Sequence, residues 1–200
     1  MKWLAVLSVA LSGAGLLEAS PVVDKLDREA MRQAHQRDNT ATRAKTGVRI
    51  ATADGRLCLS VDRLSGDSRA NMTPVQLESC RKTRRRQRWD VITSGIHNNQ
   101  PGQALIVSAA TQACLNVDRR EPMDQRVFLY SCGGRADGSG TVTDSQLFAY
   151  QDGVGPRKFR PQNSVGWCLT AGAETLGIQP CNKNGTATQE ARQRFIFLHE

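Results

Sequence analysis

The sequence predicts an all-β domain in which one unit is used three times, and three observations carry that prediction. From Thr46-Gly47 onward, short stretches such as Val48-Arg49-Ile50, Ala104-Leu105-Ile106-Val107 and Phe195-Ile196-Phe197-Leu198 alternate with Gly, Asp, Asn and Ser, as strands alternate with turns. Three segments of this region align with one another. All six cysteines fall inside those segments, two to each.

The first copy reads Leu57-Cys58-Leu59-Ser60-Val61-Asp62, then Val75-Gln76-Leu77-Glu78-Ser79-Cys80, then Gln87-Arg88-Trp89. The second reads Ala113-Cys114-Leu115-Asn116-Val117-Asp118, then Val127-Phe128-Leu129-Tyr130-Ser131-Cys132, then Gln146-Leu147-Phe148. The third reads Trp167-Cys168-Leu169-Thr170, then Leu176-Gly177-Ile178-Gln179-Pro180-Cys181, then Gln193-Arg194-Phe195. Each copy has the form Cys-Leu, second Cys, Gln-x-aromatic. Six cysteines can pair in fifteen ways. If the copies fold alike, the local assignment is Cys58 with Cys80, Cys114 with Cys132, and Cys168 with Cys181. Each such bridge contributes about 3 kcal/mol on the chain-entropy estimate. Zinc is the weaker use of these thiols, because no Cys-x-x-Cys occurs and His35, His97 and His199 lie outside the repeat.

With 200 residues and 39% hydrophobic content, the chain suits one globular domain and excludes wholesale disorder and collagen-like repetition. Residues 1–19 read as a signal peptide: Lys2, an apolar run from Trp3 to Leu11, then small residues, with cleavage expected after Ala14 or Ala19. The apolar stretch is shorter than the roughly 20 residues that a membrane span needs, so no transmembrane segment is expected. Residues 20–46 read as a polar arm, helical or disordered, with a thin stripe of Leu26, Ala30, Met31 and Ala34. The domain is then 47–200. Export to an oxidising compartment makes disulfides the expected state of the cysteines. Asn71-Met72-Thr73 and Asn184-Gly185-Thr186 are glycosylation sequons, the first weakened by Pro74.

Three concordant Cys-Leu…Cys…Gln-x-aromatic units after a signal peptide resemble the ricin B-chain type lectins, and the resemblance covers about residues 47–200. The wording around Ser65-Gly66-Asp67 and from Cys132 to Gly138 also resembles secreted fungal proteins of this type. The resemblance implies a β-trefoil: a six-stranded barrel capped by three hairpins, four strands per repeat, with Leu59, Leu115, Leu169, Trp89, Phe148 and Phe195 in its core. It also implies where sugar binds: an Asp two residues after the first Cys, an aromatic two before the second, and an Asn beside the Gln. A carboxylate accepts from vicinal hydroxyls, and an aromatic face stacks on the C–H patch of the ring. Here the Asp position holds Ser60, Asn116 and Thr170, and the aromatic position holds Glu78, Tyr130 and Gln179.

Repeat two is therefore the candidate sugar site, with Tyr130 as platform, Asn116 in place of the carboxylate, and Gln146 and Asp118 or Asp144 as hydroxyl partners. The plainer reading is that Tyr130 covers a hairpin and Asn116 caps a turn. The net charge of +8 is localised, because Arg81, Lys82, Arg84, Arg85, Arg86 and Arg88 contribute six positive charges between Cys80 and Trp89. That run is either a solvated face or a patch for polyanions. It lacks the interleaved aromatics that nucleic-acid recognition uses. The glycine-rich stretch from Gly133 to Gly140 lacks the ending of a phosphate loop and reads as a long turn. No nucleophile, base and orienting group converge in the sequence.

The expectation is thus a secreted, monomeric, non-enzymatic carbohydrate-binding trefoil, without metal or cofactor, whose partners are glycans or glycoconjugates. The alternative is an extracellular inhibitor or effector that binds a protein target or an anionic polysaccharide and no sugar.

Overall fold

The computed structural model describes residues 35–61, 71–122, 126–182 and 185–199. The signal segment, residues 20–34 of the arm, Asp62, Ser65-Gly66-Asp67 and Asn184 lie outside them.

Twelve strands are formed among the described residues. The first repeat contributes β1 (Thr42–Thr52), β2 (Leu57–Ser60), β3 (Thr73–Pro74), β4 (Gln76–Ser79) and β5 (Trp89–Ser94). The second contributes β6 (Gln103–Ser108), β7 (Cys114–Val117), β8 (Val127–Tyr130) and β9 (Phe148–Ala149). The third contributes β10 (Trp167–Ala171), β11 (Leu176–Pro180), a short helix α1 (Ala187–Arg192) and β12 (Phe195–Leu198). Antiparallel pairing runs from β1 to β5, β5 to β6 and β6 to β9. Single bridges, Phe148 to Pro161 and Arg157 to Phe195, carry the ring across residues 157–161, and β12 pairs back onto β1. The ring closes with six members. Three hairpins, β2–β4, β7–β8 and β10–β11, cap it. The chain is a β-trefoil.

Every barrel member places one large apolar side chain inside: Ile50, Trp89, Ile106, Phe148, Phe159 and Phe195, all within one buried cluster. The hairpins close the top with Leu59 opposite Leu77, Leu115 opposite Leu129, and Leu169 opposite Ile178. At the axis the hairpins interlock, with Val75 N–H donating to Val127 C=O (3.2 Å) and Leu176 N–H donating to Val75 C=O (2.9 Å). The six side chains expected in the core are all fully buried.

The disulfides are Cys58–Cys80, Cys114–Cys132 and Cys168–Cys181, as the repeat implied. The structure also explains why Gln precedes the aromatic by two. Gln87 accepts from Arg81 N–H and donates to Ser79 C=O. Gln146 accepts from Gly133 N–H and donates to Ser131 C=O. Gln193 accepts from Asn182 N–H and donates to Pro180 C=O. In each repeat one buried amide thus satisfies the two backbone groups flanking the second cysteine, which would otherwise be orphaned.

The expected domain boundary at residues 46/47 falls inside β1. Thr42 pairs with Ser94 and Lys45 with Val91, so residues 42–46 belong to the barrel. Repeated register shifts along this pairing, and Gly47 at φ +60°, break the two-residue alternation by which a strand is recognised. Buried Asp90 anchors the segment, accepting from Arg43 Nε (3.0 Å) and Gly47 N–H (2.8 Å), with Arg37 at 3.7 Å. No helix among the described residues is long and apolar enough to cross a membrane.

Candidate functional site

The three repeats can be compared at one place, where the strand after the first cysteine, the strand before the second and the turn leading to the Gln converge. The residue before the Gln decides what is found there. In repeat one it is Arg86, which donates to Val61 C=O (2.8 Å) and approaches Glu78 (3.6 Å), so its side chain spans the space. In repeat three it is Arg192, which donates to Ala171 C=O (2.7 Å) and leaves a cleft of about 230 Å³. In repeat two it is Ser145. Its hydroxyl donates to Asn116 Oδ1 (2.9 Å) and meets Thr143 Oγ1 (3.0 Å), both close by, and a cleft of about 430 Å³ remains open.

Asn116, Asp118 and Tyr130 all line that cleft, together with Arg120, Ser145 and Asn163. Hairpin register explains the grouping, since Asn116 stands opposite Phe128 and Cys114 opposite Tyr130. Tyr130 is half-buried and packs edge-on against Phe128, with centroids 6.3 Å apart. Among the described residues none accepts from Asn116 Nδ2 and none bonds the Tyr130 hydroxyl. Asp118 is held by Arg120, whose Nε and Nη2 donate to the two carboxylate oxygens at 3.0 and 2.6 Å. Those hydrogen bonds keep its pKa below the usual carboxylate range against the opposing effect of burial. The site thus offers an amide, a phenol, an aromatic edge and a guanidinium–carboxylate pair in one hollow, which suits a polyhydroxylated ligand.

Two expected members are not there. Gln146 is fully buried and both ends of its amide are occupied by backbone, so it is no hydroxyl partner. Asp144 is exposed but does not line the cleft; its carbonyl accepts from Asn163 N–H. Asn163, which sequence reasoning missed, enters from the third repeat and donates to Val117 C=O (2.8 Å). Nothing local announces it, because only closure of the barrel brings it alongside β7. Ser145 was missed as well; the signal that could have found it is its departure from Arg86 and Arg192 at the position before the Gln.

The basic run from Arg81 to Arg88 is divided by the fold. Arg84 donates to Glu78 (3.0 Å), Arg86 is the strap described above, and Arg88 donates to Gly47 C=O and Lys82 C=O. Burial resists ionisation of Glu78, but the Ser60 hydroxyl and the guanidinium groups of Arg86 and Arg84 outweigh it and lower its pKa. Of the six cations only Arg81, Lys82 and Arg85 remain exposed. Three of the six cations are thus engaged within the turn, two of them on the single carboxylate of Glu78.

The glycine-rich segment is the long turn expected. Gly133 sits at φ +86°, and a Cβ there would collide with the Gly140 carbonyl. Beside it lies a buried polar knot not foreseen from sequence. Ser131 Oγ meets His35 Nε2 (3.0 Å) and donates to Asn71 Oδ1 (3.1 Å), while Ser131 N–H donates to the same oxygen (2.6 Å). Ser131 is fully buried, so this His–Ser contact is a tie and no nucleophile. Burial lowers the His35 pKa below its ordinary 6.5, partly offset by a hydrogen bond with Asn71. Below 6.5 the unfolded chain therefore binds more protons than the folded one, and stability falls as pH drops through that window. Thermal melts across pH 5 to 8 should show this decline, and His35→Gln should flatten it (on the order of one protonation).

No protein-family model and no curated protein sequence matches the chain. Solved structures do. The designed threefold-symmetric protein ThreeFoil aligns at TM-score 0.54 and 16% identity over 76% of this chain and 98% of that one. A mosquitocidal holotoxin aligns at 0.54 and 13% identity over 78% of this chain. The GlcNAcα1-4Gal-releasing endo-β-galactosidase of Clostridium perfringens aligns at 0.54 and 10% identity over 77% of this chain. This chain spans only 17% and 32% of the latter two. At such identities the likeness is one of fold, and by fold this chain stands among the β-trefoil proteins.

Proposed function

We propose that the protein is an extracellular, non-enzymatic carbohydrate-binding trefoil with one working site, the repeat-two cleft, which takes a neutral sugar. The observation that carries this reading is Ser145: repeats one and three hold a bridging arginine where repeat two holds a small hydroxyl. Asn116 Nδ2 and the Tyr130 ring and hydroxyl then supply what a ring with vicinal hydroxyls needs. The three disulfides support an oxidising, extracellular setting. A single shallow site forgoes multivalency, so millimolar affinity is the scale to expect, roughly 4 kcal/mol.

The test is a titration of the full chain with lactose and a panel of neutral mono- and disaccharides, followed through backbone amide resonances. Ser145→Arg copies what the other repeats already carry, so the fold should tolerate it while affinity drops about tenfold or more. Tyr130→Ala should lose a similar factor, worth about 1.4 kcal/mol, through loss of stacking. Binding that survives Ser145→Arg, or no shift around Asn116 and Tyr130 with any neutral sugar, overturns the reading.

A further inference from the structure

A second hollow of about 350 Å³ adjoins the repeat-two cleft and shares Asp118, Arg120 and Asn163 with it. Its remaining charged lining is Arg119 and Arg126, and its far side is Trp167. The two compartments differ in sign. Among the described residues, Asp118 and Glu121 oppose Arg120 in the first, whereas Arg119, Arg120 and Arg126 oppose Asp118 alone in the second.

The cations of the second compartment are positioned but not consumed. The Arg119 guanidinium lies over the Trp167 ring, 4.2 Å from its centroid, which holds it in place, and no described carboxylate pairs with it. Arg126 donates its Nε to Glu121 C=O (3.1 Å), and its terminal nitrogens have no described partner. Arg120 is 89% exposed and has one edge on Asp118, with its other donors turned to solvent. Planar forks whose donors have no partner among the described residues suit a carboxylate or sulfate, which take paired hydrogen bonds.

We infer that the two compartments form one groove for an acidic oligosaccharide, a neutral ring lying against Tyr130 and Asn116 and the carboxylate or sulfate of its neighbour lying at Arg119 and Arg126. This rests on the neutral-sugar reading of the first compartment and adds to it a linked anion. It also locates recognition of negative charge away from the Arg81–Arg88 run, where half the cations are already engaged.

The experiment compares lactose, 3′-sialyllactose and lactose 3′-sulfate against the full chain. At low ionic strength both acidic ligands should bind roughly tenfold more tightly than lactose, and the advantage should collapse in about 0.5 M salt. The double variant Arg119→Gln, Arg126→Gln should remove the advantage and leave lactose affinity and the melting midpoint unchanged. The carboxylate and sulfate arms show which anion is preferred. Equal affinity for acidic and neutral ligands, or an advantage that survives the double variant, overturns the inference while leaving the neutral-sugar reading intact. Acidic ligands bound as tightly by Tyr130→Ala also overturn it, since the neutral ring then plays no part. Failure of every ligand, lactose included, overturns both readings.

Discussion

Trp89→Ala is expected to lower the stability of the domain by about 4 kcal/mol. The indole is fully buried at the base of β5, within the cluster to which all six barrel members contribute. Its removal leaves a cavity that rigid strands on every side cannot collapse into. It also strands Leu59 C=O, which accepts from Trp89 Nε1 at 3.0 Å and so ties the barrel to the first hairpin. For a domain whose total stability is of the order of 5–15 kcal/mol, that is a substantial fraction. Urea unfolding should show a lower midpoint at unchanged slope. Trp89→Phe keeps most of the volume and loses only the donor, so about 1–2 kcal/mol is expected. If the phenylalanine variant is as damaged as the alanine one, packing is not what the indole supplies.

The second large effect is Gln146→Leu, at about 3 kcal/mol. Leucine matches the size of glutamine, so packing is nearly preserved and the loss isolates polar satisfaction. Gly133 N–H and Ser131 C=O are both left without a partner beside a disulfide, and an orphaned buried group costs about 1–3 kcal/mol each. A ligand contact behaves oppositely, with affinity falling and stability holding. Measuring the unfolding midpoint of Gln146→Leu beside that of Ser145→Arg therefore separates two adjacent residues with different duties. Equal midpoints for Gln146→Leu and the unchanged protein would exclude the structural role.

Much of the trefoil was legible because its symmetry is written into residues that cannot easily change. Cysteines must pair, the Gln must hold the backbone around the second of them, and the aromatic must fill one sixth of the barrel. Each constraint is local to a repeat and so appears at fixed spacing. The start of β1 was not legible, since bulges and the basic residues Arg43 and Lys45 hide its alternation, and the partner that neutralises Arg43, Asp90, is supplied by β5. The candidate site was legible only in part. Asn116, Asp118 and Tyr130 come from one hairpin and could be read from register, whereas Asn163 and Trp167 arrive from the next repeat. Gln146 misled for a physical reason: glutamine serves equally well as a sugar ligand and as a backbone clamp, and only its burial distinguishes the two. For the basic run, composition counts charges and not the carboxylate and carbonyls that Arg84, Arg86 and Arg88 find once folded.

The seam between β1 and β12, where Arg49 meets Leu198 and Thr52 meets Phe195, sets the order in which the barrel can be completed. Each cap hairpin pairs within its own repeat, but the ring stays open until the last strand reaches the first. Contacts between segments so distant in the chain make folding slow, in the millisecond-to-second range typical of such topologies (roughly). Until that moment β1 presents a bare edge, and Phe159 lacks the Phe195 and Phe197 rings that pack against it. A closed barrel has no edge to offer another chain, whereas a barrel missing one strand has two. Loss of four residues from the last strand would therefore expose two strand edges to which another chain could pair.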